Sequence, residues 1–582
     1  MSSNRAATLA ALTLALAGNA VAPAASAAPG SPAAARAAAE GDQRTVRATR
    51  ALTTPRISWQ HCGQGLQCGT MDAPLDYRDL SKGTITLVLS RRPADDQRKR
   101  IGSVFVNPGG PGGQATSSVR GLSQALGSEV RHRFDVVGVG PRGVEGADLA
   151  VCTGKPGETM PTAGESAFPI NAKEMQQHLA YDEAFRRTCR QHKPRILDHM
   201  TTADTARDLD LARRALGDKK ITYYGISYGT YLGATYAAMY PQNVRALVVD
   251  GVLDPVAWAT GRAKEGMNVP VTERINSHKG ASEEMNAVLA ECERSGVKRC
   301  PQATTAREDW KVLMDRLSKG PIDLKDGTTL RVDDVIALTT QVLYSYDDIP
   351  VLLPALENLR EAVAPRASAR ADTPAADAKQ AVARLQALAA KVKREHPSGA
   401  SLTSPLLPEK ARRSTGPAQV LAAPAPAGEP SEAPTYDATF QGVLCADSVN
   451  PATGKAWMTA DPRTRKAAGN FGPFWLWRSS ACAGWPGSSA SAYRGPFTRS
   501  TSTPVMVIGT EHDPATPYSG AKAYRSILPT SRLVTLKNGF GHGALDVSSC
   551  VDKVRTSYLL TGKAPAKDTV CTPDHPLFTN LG

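Results

Sequence analysis

From Thr84 to Ser90 (TITLVLS), apolar and polar residues alternate with the period of a half-buried strand. Further on come continuous apolar runs, SVFV, FDVVGVG, ITYYG, RALVVDG, PVMVIG and RLVTL, each closing on glycine or turn residues. These read as buried strands. Between them lie stretches of helical period: TTADTARDLDLARRALG with capping threonines, YGTYLGATYAAMYP closed by Pro241, and YSGAKAYRSIL. Strands that alternate with helices predict an α/β fold, a mostly parallel sheet with helices on both faces.

Between about Trp258 and Tyr436 that alternation stops. Helical patterns dominate, as in ASEEMNAVLAECERSG, AREDWKVLMDRLSKG and VDDVIALTTQVLYSY. Two Ala/Pro-rich stretches, 364–380 and 414–435, flank one amphipathic helix, AVARLQALAAKVKRE, and are expected to be mobile linkers. After Tyr436 the α/β texture is expected to return. The predicted organisation is a core over 56–258, a helical cap over 259–436 that splits the sheet, and the rest of the core over 437–582.

The N-terminus differs from all of this. Arg5 precedes the apolar run AATLAALTLALAG, and Ala25-Ser26-Ala27 offers a small-residue cleavage site. Residues 1–27 therefore read as a secretory signal peptide and 28–55 as a pro-segment or flexible lead. No cysteine stands at the cleavage point to take a lipid, and no later run is long and apolar enough for a membrane anchor. The expected location is extracellular.

Ten cysteines suit an exported chain. They fall in local couples, and we expect disulfides between Cys62 and Cys68, Cys152 and Cys189, Cys292 and Cys300, Cys445 and Cys482, and Cys550 and Cys571. No Cys-x-x-Cys and no suitably spaced histidine pair occurs, so neither a metal nor another cofactor is expected. The net charge of +14 is spread along the chain without a basic run interleaved with aromatics. Nucleic acid is therefore not an expected partner. Oligomeric state is silent in the sequence.

Chemistry concentrates at GISYG, where Ser227 lies between a strand and a helix, the setting of a nucleophile elbow. A serine needs a base, and the base needs an orienting carboxylate. GTEHDPATP places Asp513 after a late strand, and NGFGHG places His542 after the next. The order serine, acid, histidine is the one this architecture supplies. His512 and Asp546 are neighbouring alternatives. The oxyanion donors are expected to be the N–H groups of Tyr228 and of Gly110 in NPGGPGG, with Gly109 as second choice. That loop lacks the Gly-Lys-Ser/Thr ending of a phosphate loop.

Taken together, NPGGPGG, FDVVGVGPRGV, TTADTARDLDLARRALG, YYGISYGTYLGATYAAMYP, VVDGVLDP, CADSVNP, CAGWP, GTEHDPATP and GHG resemble the secreted bacterial tripeptidyl aminopeptidases. The resemblance covers about Trp59 to Cys571 and thins in the helical insertion. It implies an α/β-hydrolase fold akin to proline iminopeptidases, with a TAP-like C-terminal region. It also implies serine exopeptidase chemistry on peptide or protein N-termini, with Ser227, Asp513 and His542 as triad. One position departs: Gly140 stands where such proteins commonly have aspartate. A free α-ammonium calls for a carboxylate at the cap or its border, and Asp447, Asp347 and Asp348 are the candidates. A secreted carboxylesterase or lipase on the same triad is the alternative, and a catalytically silent binding protein a remoter one.

Overall fold

In the computed structural model of the chain, the predicted apolar runs become strands of one sheet. The structure describes residues 49 and 51–579, apart from 157, 159–160, 162–166, 264, 324–328, 365, 367–373, 396–432 and 434. The expected signal peptide, most of the pro-segment and most of the second Ala/Pro-rich stretch lie outside the described residues.

The strands are β1 (Ser58–His61), β2 (Gln67–Pro74), β3 (Thr84–Arg92), β4 (Gly102–Asn107), β5 (Phe134–Val139), β6 (Ile221–Ile226), β7 (Val244–Asp250), β8 (Met506–His512), β9 (Arg532–Phe540) and β10 (Thr569–Cys571). Their order across the sheet is β1-β2-β3-β5-β4-β6-β7-β8-β9-β10. From β5 to β10 every neighbouring pair is parallel, while β1, β2 and β3 add an antiparallel edge.

Period-two alternation sends successive side chains to opposite faces. Val104, Val106, Tyr224 and Val248 pack with Val119 and Leu122 of helix α1 (Ala115–Ala125). Phe105, Tyr223, Leu247 and Val249 face the other way, onto α2 (Thr202–Ala215) and α3 (Tyr228–Met239). Helix α3 is buried all round, so its sequence shows no polar stripe.

The insertion has its own apolar core. Helix α4 (Ser277–Ser295) contributes Met285, Val288 and Leu289, and helix α5 (Pro374–Glu395) contributes Leu385 and Val392. Two expectations need correction here. Helix α5 begins at Pro374, inside the stretch read as a linker, because proline is well tolerated in a helix's first turn and alanine propagates it. The α/β alternation resumes only at Met506, not after Tyr436. Helices Thr439–Asp447, Lys455–Ala468 and Phe471–Leu476 come first, and Phe471, Phe474 and Trp475 join the insertion's core.

Five disulfides join the five sequence-local couples, Cys62–Cys68, Cys152–Cys189, Cys292–Cys300, Cys445–Cys482 and Cys550–Cys571. No helix among the described residues is long and apolar enough to cross a membrane.

The parallel strands all deliver their carboxyl ends to one rim. Along it, the loops after β4, β6, β7, β8 and β9 carry Gly109 and Gly110, Ser227, Gly251, Asp513 and His542. That rim is where open parallel sheets build their sites.

Candidate active site

Ser227 joins β6 to α3 with φ of 57° and ψ of −126°. A non-glycine residue here costs on the order of 1–3 kcal/mol and persists only when its surroundings enforce it. The enforcement is visible. Its N–H donates to the Asp250 carbonyl at 3.1 Å, and its carbonyl accepts from the Thr230 N–H at 2.8 Å. The Thr230 hydroxyl also donates to that carbonyl. The flanking glycines have a steric reason. A Cβ on Gly225 would lie 2.4 Å from the Gly229 carbonyl oxygen, and one on Gly229 would lie 2.7 Å from that of Asn107.

His542 stands in the loop after β9. Its Nδ1 lies 2.9 Å and 3.0 Å from the two carboxylate oxygens of Asp513, and both side chains are shut off from solvent. Its other hydrogen-bond partners are all donors. Oδ1 accepts from the N–H groups of Ala515 and Thr516, and Oδ2 from the Thr516 hydroxyl at 3.0 Å. This fixes the carboxylate plane and leaves Nε2 as the free edge of the ring. Nε2 is buried and makes no hydrogen bond among the described residues. The bond to a nucleophile is thus unmade in this state, and such contacts commonly tighten only when substrate is bound.

Gly109 packs directly on the elbow. A Cβ there would sit 2.7 Å from the Ser227 Cβ and 3.0 Å from the Tyr228 nitrogen. The Gly109 N–H, however, donates to Asn107 Oδ1 at 3.0 Å. The next N–H, that of Gly110, makes no hydrogen bond among the described residues. Tyr228 opens α3, so its N–H has no acceptor within the helix. Neither the Tyr228 nor the Gly110 N–H is engaged among the described residues, and the Asn107 side chain is what distinguishes Gly109 from Gly110.

The three candidate ammonium acceptors part company. Asp447 is 1% exposed, and both its oxygens accept from Thr202, at 2.8 Å from the N–H and 2.5 Å from the hydroxyl. The Thr202 hydroxyl in turn meets the Tyr228 hydroxyl. Burial pushes the Asp447 carboxyl up to about 7, against the Thr202 hydrogen bonds. Asp348 is also buried, held by Lys391 at 2.7 Å and Ser345 at 2.8 Å. These two carboxylates serve internal partners. Asp347 alone lines a cavity of about 240 Å³ beside His542, with Ile226, Tyr344, Gly541 and Asp546 in its walls. His512 instead leans on Phe540 and faces a separate cavity. Asp546 makes no hydrogen bond to His542 among the described residues, so it does not take the place of Asp513.

The departure at Gly140 has a packing reason. A Cβ there would come 2.9 Å from Val88 Cγ2 and 3.0 Å from Glu145 Cβ. Glu145 caps the start of α1, accepting from the Thr116 hydroxyl and N–H. Arg142, two residues on, forks onto Asp208 at 2.8 Å and 2.7 Å, fully buried, with Tyr77 on the same carboxylate. The motif's arginine is thus a core ion pair.

Four residues in or beside the site escaped sequence reasoning: Asn107, Asp250, Glu284 and Thr516. Asp250 accepts from the Tyr224 hydroxyl at 2.6 Å and the Ala544 N–H at 3.2 Å, tying β7 to the His542 loop. Asn107 alone had a local signal, an amide two residues before the glycine it binds.

The family model described as alpha/beta hydrolase fold matches residues 102–270, and the one described as TAP-like protein matches 466–571. The chain is 27% identical over 534 residues to a tripeptidyl aminopeptidase of Streptomyces lividans, covering 89% of this chain and 87% of that one. It is 28% identical over 527 residues to serine protease Hip1 of Mycobacterium tuberculosis, covering 87% of each. It is 29% identical over 548 residues to a carboxylesterase B of the same species, covering 90% of this chain and 91% of that one. A strained serine on a strand–helix turn, an imidazole paired with a buried carboxylate and these relatives converge: the chain has the α/β-hydrolase fold, is similar to proteins with a TAP-like C-terminal region, and is a serine hydrolase.

Proposed function

We propose that this chain is a secreted serine exopeptidase that releases short peptides, tripeptides in the first place, from free N-termini. One observation carries the reading. A hydrogen-bonded His542–Asp513 pair shares a rim with the strained Ser227, in a chain resembling a tripeptidyl aminopeptidase across most of its length.

In the proposed mechanism, His542 Nε2 takes the Ser227 proton as the hydroxyl oxygen attacks the peptide carbonyl. Asp513 holds the imidazole in the tautomer that leaves Nε2 unprotonated and stabilises the imidazolium that forms. The N–H groups of Tyr228 and Gly110 receive the oxyanion, and the N-terminus of α3 favours the charge. His542 then protonates the leaving amine, and water repeats the sequence to free the acyl product. In this reading Asp347, which lines the cavity beside His542 and pairs with His575 at 3.4 Å, exchanges that partner for the substrate α-ammonium. Five disulfides suit an oxidising compartment and support export.

The decisive experiment is mass spectrometry of products from a library of free-N-terminus peptides, with the same library N-acetylated. Tripeptide release from the free peptides alone is expected; equal cleavage of both libraries ends the exopeptidase reading. Ser227→Ala abolishes turnover without unfolding if Ser227 is the nucleophile. A carboxylesterase is the second reading, favoured by the relative of that name. A short acyl ester cleaved far faster than any peptide arylamide would decide for it.

A further inference from the structure

The two loops that carry Asp513 and His542 are both gripped from the helical insertion, by residues one helix face apart. On α4, Ser277, Gly280 and Glu284 are spaced i, i+3 and i+7, which stacks them on one side of the helix. Ser277 donates its hydroxyl to the Ala515 carbonyl at 2.5 Å. Gly280 brings the helix backbone against the acid loop: a Cβ there would lie 2.6 Å from the Asp513 carbonyl oxygen and 2.7 Å from Pro517 Cγ. Glu284, wholly buried, accepts the Gly541 N–H on Oε1 at 2.7 Å. The next N–H, that of His542 itself, donates to the Tyr344 carbonyl at 3.1 Å. The Tyr344 ring meets the imidazole edge-on at 4.7 Å. Two consecutive backbone donors of the histidine loop thus end on acceptors from the insertion, and none of this involves the sheet.

We propose that Glu284 is a positioning residue for the catalytic base: through the Gly541 N–H it fixes the loop that aims His542 at Ser227, so the insertion helps to build the active site. The proposal rests on the reading of Ser227 and His542 as nucleophile and base. The Glu284 Oε2 is buried without a hydrogen bond among the described residues. Burial, and secondarily the nearby Asp513 charge, raise the Glu284 carboxyl well above its ordinary range, against the Gly541 hydrogen bond. What the loop needs from position 284 is therefore an acceptor oxygen and not a charge. An amide can supply it; a methyl group cannot.

The test compares the wild-type full chain with Glu284→Ala, Glu284→Gln and Gly280→Ala. The readouts are kcat and KM on a free-N-terminus tripeptide arylamide, the labelling rate with a fluorophosphonate, and thermal melting. A base displaced by about 1 Å costs about 100-fold, so Glu284→Ala lowers kcat and labelling by that order with KM little changed. Glu284→Gln recovers most of the loss, to within about threefold of wild type, because its amide oxygen accepts the same N–H. Gly280→Ala pushes α4 off the acid loop and lowers kcat in the same manner; it carries the test if Glu284→Ala does not fold. Wild-type kcat in Glu284→Ala or Gly280→Ala overturns the proposal. So does a glutamine variant as poor as alanine, or a loss confined to KM. A wild-type chain that does not label at all removes the nucleophile reading and this proposal with it; labelling of wild type and Glu284→Ala at one rate removes this proposal alone.

Discussion

Gly109 and Ser227, more than a hundred residues apart in sequence, are in backbone-to-side-chain contact: no Cβ fits on the glycine without coming within 2.7 Å of the serine's own. The contact brings the glycine loop to the elbow, and with it the Gly110 N–H. Gly109→Ala must push the two loops apart, and its φ of 96° is itself strained for alanine. We expect kcat to fall by about 100-fold, the usual effect of losing one oxyanion donor. Steady-state kinetics together with fluorophosphonate labelling measure it.

Asp513 holds His542 from two oxygens, so Asp513→Asn replaces one acceptor with a donor facing Nδ1. The ring then turns to the tautomer whose Nε2 already carries a proton. A loss of about 10,000-fold in kcat is expected, with the melting temperature little changed. A loss of less than tenfold would mean that another group orients the ring.

Arg142 and Asp208 form a buried bidentate pair that also takes Tyr77. Arg142→Met strands the carboxylate in the core and is expected to cost about 3–5 kcal/mol of stability. Urea unfolding of the two proteins measures the difference. Activity per folded molecule should be unchanged, since the pair lies in the core and not at Ser227.

Glu145 and Asp447 are fully buried carboxyls raised to about 7, chiefly by burial, from ordinary values of 4.5 and 3.8. In both, the folded state keeps its proton longer than the unfolded state. Their effect on stability is therefore nil below about pH 4, becomes adverse as pH rises from about 4 to 7, and levels off above that. Each contributes a penalty of about 3–4 kcal/mol once fully developed. Asp447→Asn should accordingly be more stable than wild type by a margin that opens between pH 4 and 7 and then stays constant. Denaturant titrations across that range show it, and a margin independent of pH would refute it.

Each disulfide closes a loop of fewer than forty residues, the longest being Cys152–Cys189 and Cys445–Cys482 at a separation of 37. Opening either of those is expected to cost about 2–4 kcal/mol. Replacing Cys445 and Cys482 by alanine, followed by a thermal melt, tests one bond. Non-reducing peptide mapping tests all five pairings.

Much of this was legible in the residues. Buried parallel strands are apolar throughout, so each run such as ITYYG or RALVVDG announced itself, and the turn after it could be searched for chemistry. Ser227, Asp513 and His542 stood out for that reason. The helices between Tyr436 and Met506 did not, because Phe471, Phe474 and Trp475 bury their rings among the insertion's helices and show no clean periodicity. Nor could the acids be sorted. Asp347, Asp348 and Asp447 look alike in sequence, yet two are buried against Lys391, Ser345 and Thr202, and one lines the cavity.

The sequence by itself determined the strands, the elbow glycines and which side chains were candidates for the chemistry, because those depend on local periodicity and on steric limits within a few residues. Only the tertiary structure decided which groups meet: Asn107 taking the Gly109 N–H, Asp250 bridging Tyr224 to Ala544, and Glu284 reaching Gly541 from the insertion. Hydrogen bonds act over about 3 Å between atoms that the chain may separate by hundreds of residues. No local pattern encodes such a distance until the sheet order has set it.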